Sequence, residues 1–165
     1  MSFNLTDIVP FGRSYAEYRA MFALDEADLA GRILDCGGGP AAFNAELTRN
    51  GGTAVAVDPI YAFDAAAIRA RIDEVVPDMV AKLAANRDKF RWDRSGSPAQ
   101  LVALRQAAMD TFLADYPSGC REGRYVAGAL AVGYFLVLGY FGGVFGLAAP
   151  GPTTHSPSRF WSTTS

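Results

Sequence analysis

Cysteine, histidine and lysine are all scarce in this chain of 165 residues. The two cysteines, Cys36 and Cys120, are far apart, which is typical of a reduced, intracellular protein and not of a disulfide framework. Together with the single histidine, His155, they cannot form a zinc cluster, so no metal site is predicted. The net charge is −2 and no basic block is present, which argues against a protein that binds nucleic-acid phosphates.

Acidic residues are absent from the C-terminal part of the chain. All 17 lie at or before Glu122, and the only charged residues after it are Arg124 and Arg159. This change in composition divides the chain into a folded segment, 1–130, and a divergent apolar segment with a polar tail, 131–165. The N-terminus has no charged region followed by an apolar one, so we expect no secretory signal and a cytoplasmic protein.

The first half of the chain predicts a βαβ unit around a glycine-rich turn. Residues 33–34 form a brief apolar strand, 41–49 has a helical pattern, and 53–58 is apolar and β-branched. The two strands are therefore expected to be parallel. Two short helices precede the unit; Ser14 begins the first and Gly31 ends the second.

Two longer helices and a third strand are predicted after this unit. Asp64 caps the first of these helices, and Pro77 is expected to kink or divide it. The second helix runs over 98–115, and Pro117 is expected to end it. Residues 124–130 are the candidate for the third strand. The side chains of the second helix expected in the core are Leu101, Leu104, Ala108 and Phe112.

The turn after the first strand, DCGGGP, lies where α/β proteins bind ligands, and its glycines let a ligand touch the backbone. Two interpretations are open. Gly37, Gly39 and Ala42, with Asp58 about 20 residues further, satisfy the dinucleotide-binding pattern. Alternatively, the turn binds S-adenosylmethionine. Asp35 would then attract the cationic aminoacyl and sulfonium groups and repel a pyrophosphate, and Asp58 would accept the ribose hydroxyls.

Several stretches between residues 11 and 130 match the sequence motifs of one protein family. They are MFAL, RILDCGGGPAAFNAEL, VAVDPIY, FRWD, AAMDTFLADYPSG and REGRYVAGAL. With these stretches, the segment resembles a bacterial family of class I S-adenosylmethionine-dependent methyltransferases. The resemblance implies a Rossmann-like parallel α/β sheet with a helical insertion between strands 2 and 3. It also implies S-adenosylmethionine as the cofactor, while the motifs do not reveal the methyl acceptor.

The resemblance also assigns the residues of the cofactor site. Contacts are implied at Asp35, Gly37, Gly39 and Asp58, and Cys36 and Gly38 lie in the same turn. Cys36 is interpreted as a small packing residue and not as a nucleophile, because no histidine or cation is adjacent to lower its pKa. Tyr61 either lies on the adenine or packs in the core. Asp58→Ala is expected to change folding little, because a carboxylate at the end of a strand has little to pack against.

After Leu130 the chain departs from the family, so only strands 1–3 of the expected sheet are recognisable. Three explanations remain open for the tail: an out-of-frame or truncated C-terminus, a degenerate fourth strand over 135–141, or a membrane span over 125–149. We expect that 133–141 does not complete the sheet, which would leave strand 1 as an exposed edge.

The leading functional hypothesis is a class I methyltransferase of unknown acceptor, impaired by loss of the C-terminal half. The alternative is a non-enzymatic remnant of a cofactor-binding fold or a membrane-anchored accessory protein. A nicotinamide-dependent oxidoreductase ranks third. The acidic turn favours S-adenosylmethionine over a dinucleotide, and the match of 126–130 to the third strand argues against the membrane span.

Overall fold

The computed structural model describes residues 4–89, 92 and 96–128, which form a mixed α/β fold. Its α-helices are α1 (Tyr15–Phe22), α2 (Glu26–Ala30), α3 (Phe43–Arg49), α4 (Ala65–Ala85) and α5 (Pro98–Arg121). Its strands are β1 (Arg32–Cys36), β2 (Thr53–Asp58) and β3 (Tyr125–Ala127). Short 3-10 helices cover Leu5–Asp7, Pro59–Ala62 and Arg87–Lys89.

The three strands form one parallel sheet in the order β1-β2-β3. Leu34 pairs with Val55, and Val57 pairs with Val126. The predicted parallel βαβ unit is therefore confirmed, as is the insertion of helices between the second and third strands. This arrangement is compatible with a Rossmann-like fold.

The core lies on one face of the sheet, under α3, α4 and α5. Alternate residues of β2 point into it, so Ala54 and Ala56 are buried while Val55 is half-buried. Their small side chains let the helices pack close to the sheet. Four aromatic rings fill the space between α5 and β3, with neighbouring centroids 4.9–6.0 Å apart. These rings belong to Tyr61, Phe112, Tyr116 and Tyr125.

On the other face of the sheet, apolar side chains are open to solvent. Leu34 on β1 is 63% exposed and Val126 on β3 is 42% exposed. Within the described ranges, β1 pairs with β2 alone. The segment 133–141, which was expected not to complete the sheet, and most of the candidate membrane span 125–149 lie outside the described residues. None of the helices in the described part combines the length and apolar character needed to cross a bilayer.

The predictions that Pro77 divides one helix and that Pro117 ends the next are wrong, while the alternative of a kink at Pro77 stays a prediction. Pro77 does not divide α4, which is continuous and is held by the buried side chains of Ile72 and Leu83 on either side of the proline. Pro117 does not end α5, which continues to Arg121. A proline removes one backbone hydrogen bond from a helix interior, and tertiary contacts can compensate for that loss.

Tyr116 provides such a contact beside Pro117. Its hydroxyl donates to the carbonyls of Tyr61 and Phe63 at 3.1 and 2.9 Å and anchors the last turns of α5.

The prediction for Leu104 is also wrong, because its side chain is 37% exposed. The buried stripe of α5 passes through Arg105 instead, since that charged residue is paired inside the protein.

Replacing Tyr116 with phenylalanine tests this anchor. The change leaves two carbonyls without their donor, so the free energy of unfolding should fall by about 1–2 kcal/mol. Urea unfolding would measure it. Tyr15→Phe is the matched control, because the Tyr15 hydroxyl makes no hydrogen bond within the described residues and its ring stacks on Phe43. Equal stability of the two variants would contradict the anchoring role.

Candidate functional site

The glycine turn between β1 and α3 is tied to the end of β2 through its backbone. The N–H of Gly39 donates to Asp58 Oδ2 at 2.9 Å, and the carbonyl of Gly39 accepts from the Tyr61 hydroxyl at 2.7 Å. The N–H of Gly37 donates to the carbonyl of Val57 at 2.9 Å. Gly39 has φ +55°, a conformation that favours glycine. The turn is therefore a preformed structure, and it joins the C-terminal ends of two adjacent parallel strands.

Asp58 has a structural role as well as a candidate binding role. Its second oxygen, Oδ1, accepts from the N–H of Ile60 at 2.8 Å and caps the 3-10 helix Pro59–Ala62. The premise behind the expectation that Asp58→Ala would change folding little is wrong, because the carboxylate satisfies two backbone amides. A carboxylate offers about four acceptor positions, so both oxygens can still accept a ligand hydroxyl. Burial raises the pKa of Asp58, and the two backbone hydrogen bonds oppose that rise.

Asp35 lies near the end of β1 and contacts α1. The Tyr18 hydroxyl is 3.3 and 3.4 Å from the two carboxylate oxygens of Asp35. A Cβ atom on Gly38 would overlap that carboxylate, so any other residue there would force the Asp35 side chain to move. Burial raises the pKa of Asp35 to about 6; the hydrogen bond from Tyr18 opposes the rise, and the charge of Asp58 adds to it.

The two carboxylates create a negative potential across the turn. Burial is the main cause that raises the pKa of Tyr18 well above its usual range, and the charge of Asp35 adds to it. Burial and then the charges of Asp35 and Asp58 raise the pKa of Tyr61 in the same way. The guanidinium of Arg13 acts in the opposite direction on Tyr18. A cationic ligand would relieve the repulsion between the carboxylates.

A buried ion pair holds α1 in place beside the turn. The guanidinium of Arg105 on α5 binds Glu17 in a bidentate manner, with both N–O distances 2.7 Å. Glu17 also accepts from the amide and hydroxyl of Ser14 at 3.0 and 2.9 Å, which completes the predicted capping box. The N–H of Ala42 donates to the carbonyl of Arg13 at 2.9 Å, which fixes the chain before α1 against the start of α3.

Cys36 and Tyr61 are best explained by packing. Burial and the neighbouring charge of Asp35 raise the pKa of the Cys36 thiol, so it stays protonated at neutral pH. The Tyr61 ring lies in the core, 5.2 Å from the ring of Tyr125, and its hydroxyl supports Gly39. Both observations favour the packing interpretation over a nucleophile and over an adenine platform, respectively.

Sequence reasoning placed Gly37 and Gly39 in the turn and Asp58 at the end of the second strand, as the structure has them, but it missed Tyr18 and the pair of Glu17 with Arg105. The helical spacing of tyrosines on α1 was visible, yet only the packing of α1 shows which of them reaches Asp35. A paired arginine inside a helix gives no local signal, because its partner is 88 residues away.

Two surface depressions on the described part of the protein lie away from the glycine turn. One, of about 370 Å³, is beside α4 and includes Val9, Arg71 and Met79. Another, of about 170 Å³, is on the open sheet face around Leu34 and Val55. Neither includes the glycine turn. Within the described ranges, no three histidine, cysteine, aspartate or glutamate side chains converge as metal ligands.

Comparisons with known proteins found a relative that is uncharacterized. No family model matches the chain, and no solved structure matches it. An uncharacterized protein of Methanocaldococcus jannaschii is 29% identical over 124 residues, which cover 74% of this chain and 55% of that protein. The chain therefore spans about half the length of the relative that it matches.

Proposed function

We propose that the glycine turn binds S-adenosylmethionine and that the chain carries the cofactor half of a class I methyltransferase. One observation carries the proposal. Asp35 and Asp58 lie at the C-terminal ends of adjacent parallel strands beside the turn, burial raises the pKa of both, and in the described part of the chain their hydrogen-bond donors are neutral. Such a pair is suited to a ligand that has a cationic group and a sugar diol.

Each residue of the turn has a role in this proposal. Asp35 attracts the ammonium and sulfonium charges, and Asp58 accepts the ribose hydroxyls through the acceptor positions that its amide partners leave open. Gly38, which has no side chain, leaves room for the Asp35 carboxylate. The bound sulfonium supplies an already activated methyl group. The task of the protein is therefore to hold the acceptor in line with that methyl group and to exclude water.

The hydrogen bonds of the turn weigh against a nicotinamide dinucleotide. A pyrophosphate needs free backbone amides, but those of Gly37 and Gly39 already donate to Val57 and Asp58. The Asp35 carboxylate beside them would repel the phosphate charges. An oxidoreductase is therefore the weaker candidate.

A non-enzymatic protein that binds the cofactor without turnover is the second candidate. It is favoured by the open face of the sheet, where Leu34 is 63% exposed. An acceptor pocket would need further walls around the turn. Binding with no methyl transfer to any acceptor would support this candidate.

Calorimetric titration with S-adenosylhomocysteine and with NADH tests the proposal. We expect S-adenosylhomocysteine to bind more tightly, because its ammonium group interacts with Asp35. Asp35→Asn should weaken that binding by about tenfold, since a charged partner becomes neutral. Asp25→Asn is the control, because Asp25 only caps the exposed start of α2. Tighter binding of NADH, or no binding of either ligand, would overturn the proposal.

A further inference from the structure

The hydroxyl of Tyr18 is aimed at the carboxylate through which the proposed site would attract a cation. Tyr18 is buried on α1, only 7% exposed, and its ring stacks on Phe43 with centroids 4.7 Å apart and planes 14° from parallel. The ring is thereby held in one orientation, which brings its hydroxyl to both oxygens of Asp35.

We propose that Tyr18 is a positioning residue that orients the Asp35 carboxylate and keeps it ionised for a ligand ammonium group. This inference rests on the proposed function. A hydroxyl that donates to a carboxylate stabilises the charged form, which a phenylalanine ring of the same shape cannot do. The stacking on Phe43 fixes the direction of that donation and therefore the direction in which the carboxylate faces the turn.

A connected set of contacts on α1 holds Tyr18 in place. Glu17, the residue before it, is held by Arg105 on α5, so α1 cannot rotate without breaking a buried ion pair. The ring of Phe22 meets Tyr18 edge-on at 5.5 Å. The position of the hydroxyl over Asp35 is therefore determined by packing and not by the hydrogen bond alone.

The pKa of Asp35 depends on the charged and titratable groups around it. Tyr18 reaches it from α1, Asp58 from the end of β2 and Tyr61 from the following 3-10 helix, while Arg13 lies near Tyr18. The acids of α2 are engaged elsewhere, because Glu26 binds Arg19 and Asp28 accepts from the amide of Asp25. Asp35 thus has one acidic neighbour, which disfavours its ionised form, and one hydroxyl, which favours it.

The affinity for an ammonium ligand should therefore depend on pH. Only the ionised carboxylate attracts the cation, so affinity should rise with pH up to about 6 and be level above it. Loss of the Tyr18 hydroxyl removes the group that lowers the pKa of Asp35. The midpoint of the pH profile should then move upward, by about one pH unit.

The test compares the full chain with Tyr18→Phe by calorimetry at pH 5–9. S-Adenosylhomocysteine, which carries the ammonium group, is one probe; methylthioadenosine, which lacks it, is the other. We expect Tyr18→Phe to weaken S-adenosylhomocysteine binding up to about tenfold near pH 6 and little above pH 8. Methylthioadenosine affinity should not change. Tyr15→Phe, on the same helix and stacked on the same Phe43, should match the native chain.

The outcomes separate the two proposals. If the native chain binds neither probe, the proposed function fails. If it binds S-adenosylhomocysteine but Tyr18→Phe has an unshifted pH profile, the function stands and the positioning role of Tyr18 is overturned. A uniform loss of affinity for both probes at every pH would show a structural role only, and it would overturn the inference as well.

Discussion

Replacing Glu17 with alanine is expected to lower the free energy of unfolding by about 3 kcal/mol, the lower end of the range for breaking a buried ion pair. The Arg105 side chain is 7% exposed, and its Nε has no hydrogen-bond partner within the described residues. Without Glu17, a buried guanidinium would lose its bidentate counter-ion. The lower end applies because the Glu17 side chain is itself 28% exposed, so water can partly replace it.

Urea unfolding of three variants would measure this effect. Glu26→Ala is the matched control, because its pair with Arg19 is at the surface and should contribute no more than about 1 kcal/mol. Combining Glu17→Ala with Arg105→Met removes the unpaired charge and should recover much of the loss. If Glu17→Ala costs no more than Glu26→Ala, the buried pair does not stabilise the packing of α1 on α5.

Replacing Asp58 with alanine is expected to weaken S-adenosylhomocysteine binding by about 1.5–3 kcal/mol, the range for a hydrogen bond to a charged group. The same change should lower the free energy of unfolding by about 1–3 kcal/mol, because the amides of Gly39 and Ile60 lose their acceptor. Calorimetry and urea unfolding would measure the two effects separately.

Asp64→Ala is the control for this prediction. Asp64 caps α4 through the amide of Ala67, so its loss should cost about 1 kcal/mol of stability without changing the affinity. Asp58→Asn keeps an acceptor oxygen and should lose less stability than Asp58→Ala. Unchanged affinity in a folded Asp58→Ala variant would remove Asp58 from the proposed site.

The local sequence was enough to predict the strands, the helix cap and the turn around which the fold is built. Thr53–Asp58 was predicted as a strand with the bounds that the structure shows, because a short β-branched run between glycines and an acid has few alternatives. The capping box at Ser14 and the glycine turn were also predicted, since both depend on residues that are adjacent in the chain. The parallel pairing of the first two strands was predicted from the spacing of strand, helix and strand along the chain.

Contacts between distant residues decided the rest. Pro117 stays inside α5 because Tyr116 is anchored to the chain after β2, more than 50 residues earlier. Arg105 replaces Leu104 in the buried stripe because Glu17 neutralises it.

In the candidate site, too, some features could be predicted from the sequence and others depended on the tertiary structure. From the sequence alone, Asp35 and Asp58 could be placed at the ends of two parallel strands, because parallel strands end at the same edge of a sheet. Only the tertiary structure showed that the Tyr18 hydroxyl reaches Asp35 and that Asp58 satisfies two amides. Propensity and periodicity act over a few residues, whereas burial and pairing depend on which elements the fold brings together.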